Sequence, residues 1–117
     1  QVFYQEFKYL WKNERSGLLY PKVLFEDQGH DSTEALNHVL RETWKDAVTI
    51  CGIEMHRRCL SLAHNADFED ITDLNFRAKL EARNLLAGRE LVLNASSLVD
   101  IKSVLKIAKT YNKKDLL

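Results

Sequence analysis

The stretch TEALNHVLRETWKDAVTICGIEMHRRCLSLA, residues 33–63, decides the fold of this chain. Apolar side chains recur in it at intervals of three and four residues, which places them on one face of an α-helix. The stripe continues for about eight turns, so we predict one long central helix. Its members are Leu36, Val39, Leu40, Trp44, Ala47, Val48, Cys51, Met55, Cys59, Leu62 and Ala63.

Upstream of this stretch, the pattern predicts a first helix over residues 2–15, with Phe3, Phe7 and Trp11 at helical spacing. Ser16-Gly17 ends that run, and the sole proline, Pro21, would break any helix that continued from it. A polar loop over residues 27–32 follows. Asp31 or Ser32 can cap the central helix, because a short oxygen-bearing side chain accepts from the first free amides.

Downstream, Asn65 suits a helix C-cap and Asp67 suits the N-cap of a brief turn. Thr72 or Asp73 would start a second long helix that ends near Asn94, and Ser96 or Ser97 would cap a last helix. No stretch alternates long enough to predict a strand. We therefore predict an all-α fold, a bundle of about five helices with one long central helix, with residues 1–117 forming a single helical domain.

Composition limits the partners of the chain. Seventeen Lys and Arg balance seventeen Asp and Glu, so no global field draws the chain to nucleic acid or to a membrane. Cys51 and Cys59 would lie about 12 Å apart on one helix, too far for a disulfide, which predicts a reduced, cytoplasmic protein. The chain begins at Gln1 and its only methionine is Met55, so we expect a fragment or a processed piece.

Self-contained catalysis is not expected from the motifs. The chain has no glycine-rich phosphate loop and no Gly-x-Ser-x-Gly elbow. Cys51, His56, Cys59 and His64 carry metal-ligand atoms, but their helical spacing does not bring the four together. We predict no catalytic residue and no metal site within this chain.

One feature departs from a purely packed helix, the adjacent pair Arg57 and Arg58. The two side chains diverge by about 100° around the helix, and each presents a planar fork of donors that matches phosphate or carboxylate oxygens. A phosphate clamp is one interpretation. The alternative is that the pair flanks the apolar stripe and forms surface ion pairs with Glu54, or with acids such as Asp67 and Glu69.

Three runs in order carry a resemblance to a known family. They are RETWKD at residues 41–46, GIEMHRRCLSLAHNADFE at residues 52–69 and RAKLEAR at residues 77–83. Together they resemble the C-terminal helical region of S-methyl-5-thioribose kinases, which has a Trp-bearing helix, a Met-x-Arg-Arg pair, a Leu-Ala-His-x-x-Asp helix end and a long closing helix. The match extends over roughly residues 40–97, and more loosely back to residues 7–21.

The resemblance implies the fold of choline kinases and aminoglycoside phosphotransferases. It implies that Arg57 and Arg58 meet methylthioribose and the phosphate that ATP transfers to the 1-hydroxyl of this small sugar, in methionine salvage. His64 and Asp67 match the same motif and are expected to support the helix end, while Trp44 is expected in the core. His56 stands where the family pattern has isoleucine, which would alter the site or mark a branch acting on a related sugar.

The kinase motifs that the resemblance requires elsewhere are absent here. The nucleotide-binding lobe, the catalytic aspartate loop and the metal-binding Asp-x-Glu would belong to missing N-terminal lobes, which would bring ATP and Mg. We therefore expect the 117 residues alone to bind no cofactor and to be inactive. A non-catalytic helical module that binds a partner or a small anion remains the alternative. Exposed apolar surface near Phe3 or Leu18 to Phe25 would favour truncation and also a homodimer.

Overall fold

The computed structural model describes residues 1–60 and 66–113, and this part of the chain is helical without a β-strand. The predicted all-α class and the long central helix are confirmed. The helices are α1 (Val2–Asn13), α2 (Thr33–Leu60), α3 (Ala66–Glu69), α4 (Leu74–Asn94) and α5 (Ile101–Lys113), with 3₁₀ turns at Lys22–Leu24 and Glu26–Gln28.

The chain forms two compact units, Gln1–Trp44 and Lys45–Leu117, whose boundary in sequence falls inside α2. In the first unit, α1 has no buried residue. Its aromatic rings instead form a row that continues into the following loop, with successive centroids 5.7–6.2 Å apart, which suits tilted aromatic pairs. The row comprises Phe3, Phe7, Trp11, Tyr20 and Phe25.

Arg15 lies against this row, with only 6% of its side chain exposed. Its guanidinium is 4.6 Å from the Trp11 ring centroid, and it donates to the Ser32 hydroxyl and to the Glu26 carboxylate. Trp11 Nε1 also donates to Ser32 Oγ. Ser32 is itself buried, so these hydrogen bonds satisfy a hydroxyl that has left water.

The loop of the first unit leaves apolar side chains in solvent. Leu18 is fully exposed, and Leu19, Val23 and Leu24 are also exposed. The 3₁₀ turns follow Pro21, and the second of them runs into the predicted polar loop over residues 27–32. Gly29 ends the second turn at φ 77°, a backbone conformation that glycine adopts without a side-chain penalty.

The second unit is built on a close crossing of α2 and α4 at Gly52 and Gly88. A Cβ atom on Gly52 would lie 2.5 Å from the Gly88 carbonyl oxygen and 2.8 Å from Val92 Cγ2. Only glycine therefore fits, and the two backbones approach more closely than side chains would allow. Around the crossing lie the buried residues Val48, Ala87, Leu91, Ala95, Leu98 and Ile107.

Two predicted helix caps agree with the structure, and the predicted cap of α5 does not. Asp73 caps α4 by accepting from the amides of Asn75 and Phe76, and Asp31 accepts from the amide of Thr33. Ser96 and Ser97 do not cap α5. Asp100 does so, in a reciprocal pair in which it accepts from the Ser103 amide and Ser103 Oγ accepts from the Asp100 amide.

The brief turn near Asp67 also differs from the prediction. Asp67 lies inside α3 rather than preceding it as a cap. The predicted C-cap residue, Asn65, lies outside the described residues. None of the helices that the structure describes is at once long and apolar enough to cross a membrane.

Candidate functional site

The adjacent arginines lie in the last turn of α2, and each is held by a carboxylate. Arg57 uses Nε and Nη2 to grip Glu54, one turn back on the same helix, at 2.9–3.0 Å. This hydrogen bonding lowers the pKa of Glu54 and raises the pKa of Arg57. Both groups are therefore charged at neutral pH.

Arg58 points to a different partner, as the divergence of adjacent helix residues requires. Its Nη1 donates to Asp67 of α3. The surface ion pairs that were the alternative interpretation of the sequence, with Glu54 and Asp67, are thus present in the structure. Glu69, the other acid of that interpretation, also has an interaction in the structure.

Ion pairing does not remove the arginines from solvent. Each guanidinium side chain keeps 42% of its surface exposed, and the carboxylates of Glu54 and Asp67 are similarly accessible at 45% and 58%. An exposed pair of this kind contributes little to stability, about 0–1 kcal/mol, since water screens both charges. An incoming phosphate could therefore displace either carboxylate at low cost.

The net charge around the two arginines limits how strongly they attract a phosphate. Arg57 and Arg58 with Glu54 and Asp67 sum to no net charge. The cluster therefore attracts a free anion weakly until a carboxylate turns away or another cation joins it. The two guanidiniums present the donor geometry that suits phosphate. However, the four side chains lack the net positive charge that an anion site needs when it stands alone.

His56, predicted as a supporting residue of the arginine pair, lies at the crossing of α2 and α4 instead. Its Nδ1 lies 2.7 Å from the Gly52 carbonyl oxygen, and the ring is beside Gly88. No contact joins it to Arg57 or Arg58 in the described part of the chain. The other supporting histidine, His64, lies outside the described residues. Of the two supporting residues that the structure describes, Asp67 bonds to the arginine pair and His56 does not.

A second contact between α2 and α4 positions the turn that carries the arginines. Asn84 Nδ2 donates to the Met55 carbonyl oxygen at 2.6 Å and lies 3.2 Å from Cys59 Sγ. That carbonyl belongs to the turn just before Arg57. This role was not predicted, because an Asn inside a helical apolar pattern resembles any other helix position.

The face of α2 beside His56 opens onto a shallow groove of about 280 Å³. Ile53, Val92 and Leu93 form its apolar walls, and Arg89 stands at its edge. Within residues 1–60 and 66–113, no three His, Cys, Asp or Glu side chains are grouped to hold a metal ion. Cys51 and Cys59 are both free thiols.

Comparison with known proteins finds methylthioribose kinases among the relatives of this chain. The chain is 29% identical over 108 residues to a methylthioribose kinase of Escherichia coli O45:K1, a match over 92% of this chain and 26% of that protein. It is 37% identical over 87 residues to the methylthioribose kinase of Yersinia enterocolitica, covering 71% of this chain and 22% of the relative. For the Pectobacterium carotovorum methylthioribose kinase, the identity is 38% over 66 residues, a match over 56% of this chain and 16% of the relative.

No protein-family model matches the chain, and no solved structure matches it. The chain spans about a quarter or less of the length of the curated relatives. The resemblance to methylthioribose kinases that the motifs indicated is confirmed, and with it a relation to a kinase family.

Proposed function

We propose that this chain is the C-terminal, substrate-side helical part of a cytoplasmic phosphotransferase that uses ATP to phosphorylate methylthioribose or a closely related sugar. The observation that carries the proposal is the similarity to methylthioribose kinases, which extends over as much as 92% of the chain. The apolar side chains exposed at Leu18 and Leu19 support it further, because a larger protein would cover them.

In this proposal Arg57 and Arg58 hold the sugar and the phosphate that moves to it. Phosphoryl transfer spreads negative charge over oxygens, and positioned cations stabilise that charge. Arginine keeps its own charge at any working pH, so the pair acts as an electrostatic clamp and not as an acid or base. The exposure of both guanidiniums is compatible with this role, since substrate can reach them.

The local neutrality of the cluster fits a site that is completed from outside. ATP, Mg²⁺ and the catalytic aspartate would come from the N-terminal lobes of the longer enzyme, and the metal would supply the missing positive charge. Phosphate oxygens would then replace Glu54 and Asp67 as partners of the guanidiniums. The 117-residue chain alone is proposed to be inactive, and turnover of ATP and methylthioribose by it would contradict this.

The pairing with Glu54 and Asp67 favours a second candidate, a helical module without catalysis. In that case the ion pairs are permanent surface contacts, and the chain serves to bind a partner or a small anion. The two candidates differ in what the arginines do when a substrate is present.

The test compares single variants of the longer kinase that carries this chain. We expect Arg57→Ala and Arg58→Ala each to lower kcat/KM for methylthioribose by about 100-fold or more, the size of effect seen when one charge-stabilising donor is lost. Arg41→Ala is the matched control, since Arg41 is an exposed arginine on the same helix. It should change kcat/KM by less than about twofold.

Thermal unfolding of each variant separates loss of function from loss of fold. Because the ion pairs are exposed, the Tm of Arg57→Ala should stay close to that of the parent. If all three variants turn over the sugar equally well, the clamp is wrong and the second candidate stands.

A further inference from the structure

Helix α5 carries a row of lysines that the proposed function does not use. Four of its 13 residues are lysines and none is acidic. At 100° per residue the four fall within an arc of about 60°, so they form one straight row along the helix. All four are exposed on the outer surface of α5, with Leu105 and Thr110 among them. The row is Lys102, Lys106, Lys109 and Lys113.

This row is electrostatically unfavourable by itself. Successive lysines are three or four residues apart, the spacing at which like charges repel on a helix. None of the four forms an ion pair within the part of the chain that the structure describes. Asp100, which precedes the helix, is occupied in capping it with Ser103. An anionic partner along the row would relieve the repulsion.

An apolar seam runs beside the lysines. Each lysine follows a seam residue in sequence, so the seam repeats at the same intervals of four, three and four. Those intervals are the spacing of core positions in a coiled coil, which puts Lys102 and Lys109 in a flanking position and Lys106 and Lys113 one position from the core on the same side. Ile101 is 58% exposed and Leu105 is 49% exposed. The seam comprises the apolar residues Ile101, Leu105 and Ala108 and ends at the polar Asn112.

The opposite face of α5 is already used. Ile107 is buried, and α5 packs on α4 within the second unit. The seam and the lysine row therefore lie outside the contact that fixes α5, and a partner can reach both without unfolding the unit.

We propose that this face of α5 binds an acidic amphipathic helix of a partner polypeptide. The partner would place apolar side chains against Ile101 and Leu105 and carboxylates against the lysine row, as in helix pairing by core and flanking positions. A lysine row alone would suit any polyanion, but an apolar seam in register with it suits a helix. The neutral net charge of the chain gives no general attraction to nucleic acid or to anionic lipid.

A second copy of this chain does not supply such a helix. Among the helices the structure describes, α1 has one acid and α4 has two. The four acids of α2 are eight, four and eight residues apart, which does not match the row. The inference depends on α5 only and is independent of the sugar-kinase proposal.

The test uses a fluorescent synthetic heptad-repeat peptide with Leu at the core positions and Glu at the flanking positions. Its binding to the full chain is followed by fluorescence anisotropy at low ionic strength. We expect Lys106→Glu/Lys109→Glu to weaken binding by about tenfold or more, since ion pairs become repulsive. The control Lys8→Glu/Lys12→Glu, exposed on α1, should change it by less than about twofold.

A third variant tests the seam. Leu105→Asp should also weaken binding of the peptide, because it places a charge in the apolar contact. Circular dichroism checks that every variant keeps its helix content. The proposal is overturned if both lysine pairs have the same effect, or if Leu105→Asp binds as tightly as the parent. It is equally overturned if duplex DNA or phosphatidylserine vesicles compete for the row more strongly than the acidic peptide does.

Discussion

The two units of this molecule are stabilised by different chemistry. The first is organised around a buried cation, Arg15, which lies among aromatic rings and is bonded to Ser32 and Glu26. The second is organised around the absence of side chains at Gly52 and Gly88, which lets two helices touch. The comparison shows that polar contacts can specify a unit with little apolar core, whereas close helix packing needs space that only glycine provides.

The arginines of the two units also differ in how much of the side chain is exposed to solvent. Arg15 exposes 6% of its side chain, while Arg57 and Arg58 each expose 42%. All three contact carboxylates, so an ion pair alone does not mark an arginine as structural. Burial does, because a buried guanidinium cannot exchange its partners for a ligand without a large desolvation cost.

The largest effect is expected at the glycine crossing. Gly52→Ala should lower the free energy of unfolding by about 2–3 kcal/mol, since the added Cβ meets the backbone of α4. In an ordinary helix interior, Gly→Ala would raise the free energy of unfolding by about 1 kcal/mol. A decrease on Gly52→Ala would therefore show the effect of the crossing. Chemical denaturation followed by circular dichroism measures it.

Gly17→Ala is the matched control for that prediction. Its Cβ would approach nothing closer than 4.0 Å, so we expect a change within about 0.5 kcal/mol. Equal effects at Gly17 and Gly52 would show that the close approach of the helices does not limit stability.

A somewhat smaller effect is expected from the buried cation. Arg15→Ala should cost about 2 kcal/mol, because it removes the cation over Trp11 and a hydrogen bond to the buried Ser32. Trp11 fluorescence and near-ultraviolet circular dichroism should change with it. Arg57→Ala, the exposed counterpart, should leave both signals unchanged. If the two variants are equally stable, burial does not distinguish the arginines.

Acid should affect the first unit through Glu26. Hydrogen bonding from Ser32, aided by Arg15, lowers the pKa of Glu26 from its ordinary value of 4.5. A carboxyl whose pKa is lowered by folding contributes stability above its unfolded pKa and loses it as pH falls through the folded pKa. We therefore expect the Tm to fall as pH drops below about 4.5. In Glu26→Gln this acid-induced fall in Tm should be missing. If the fall persists in the variant, groups other than Glu26 cause it.

The smallest effect on stability is expected from Glu54→Gln. The carboxylate is exposed, so the Tm should hardly change, but Arg57 loses its charged partner. In the longer kinase this should tighten the binding of phosphate-bearing ligands, measured by calorimetry. Asn84→Ala, which alters the preceding turn without changing charge, is the comparison variant. No gain in affinity on Glu54→Gln would mean that Arg57 does not meet the ligand.

Patterns of apolar residues predicted most of the helical structure. The period of three and four predicted α2 and α4, and residue type offered Thr72 or Asp73 as the cap of α4, of which the structure has Asp73. Each of these features depends on neighbours along the chain. The ion-pair partners of the arginines, Glu54 and Asp67, were also foreseeable, one from helix spacing and one from proximity in sequence.

Features that depend on distant contacts were missed. Arg15 looked like the end of a helix, since nothing in its neighbours shows that Ser32 and Glu26 fold back onto it. Ser103 was not identified as the partner of Asp100, because two other serines precede that aspartate and suggest an earlier cap. An isolated glycine inside a long helical pattern, as at Gly52, was the one available sign of the crossing.

The bond between His56 and the Gly52 carbonyl oxygen also fixes where the imidazole carries its proton. A carbonyl oxygen only accepts, so the proton of the neutral ring resides on Nδ1 and the Nε2 lone pair is left free. With the proton on Nδ1, the chemical shifts of the two ring nitrogens differ clearly from those of an unconstrained histidine in nitrogen NMR. His56 therefore offers a spectroscopic reporter of the Gly52 carbonyl oxygen, which lies at the crossing of α2 and α4.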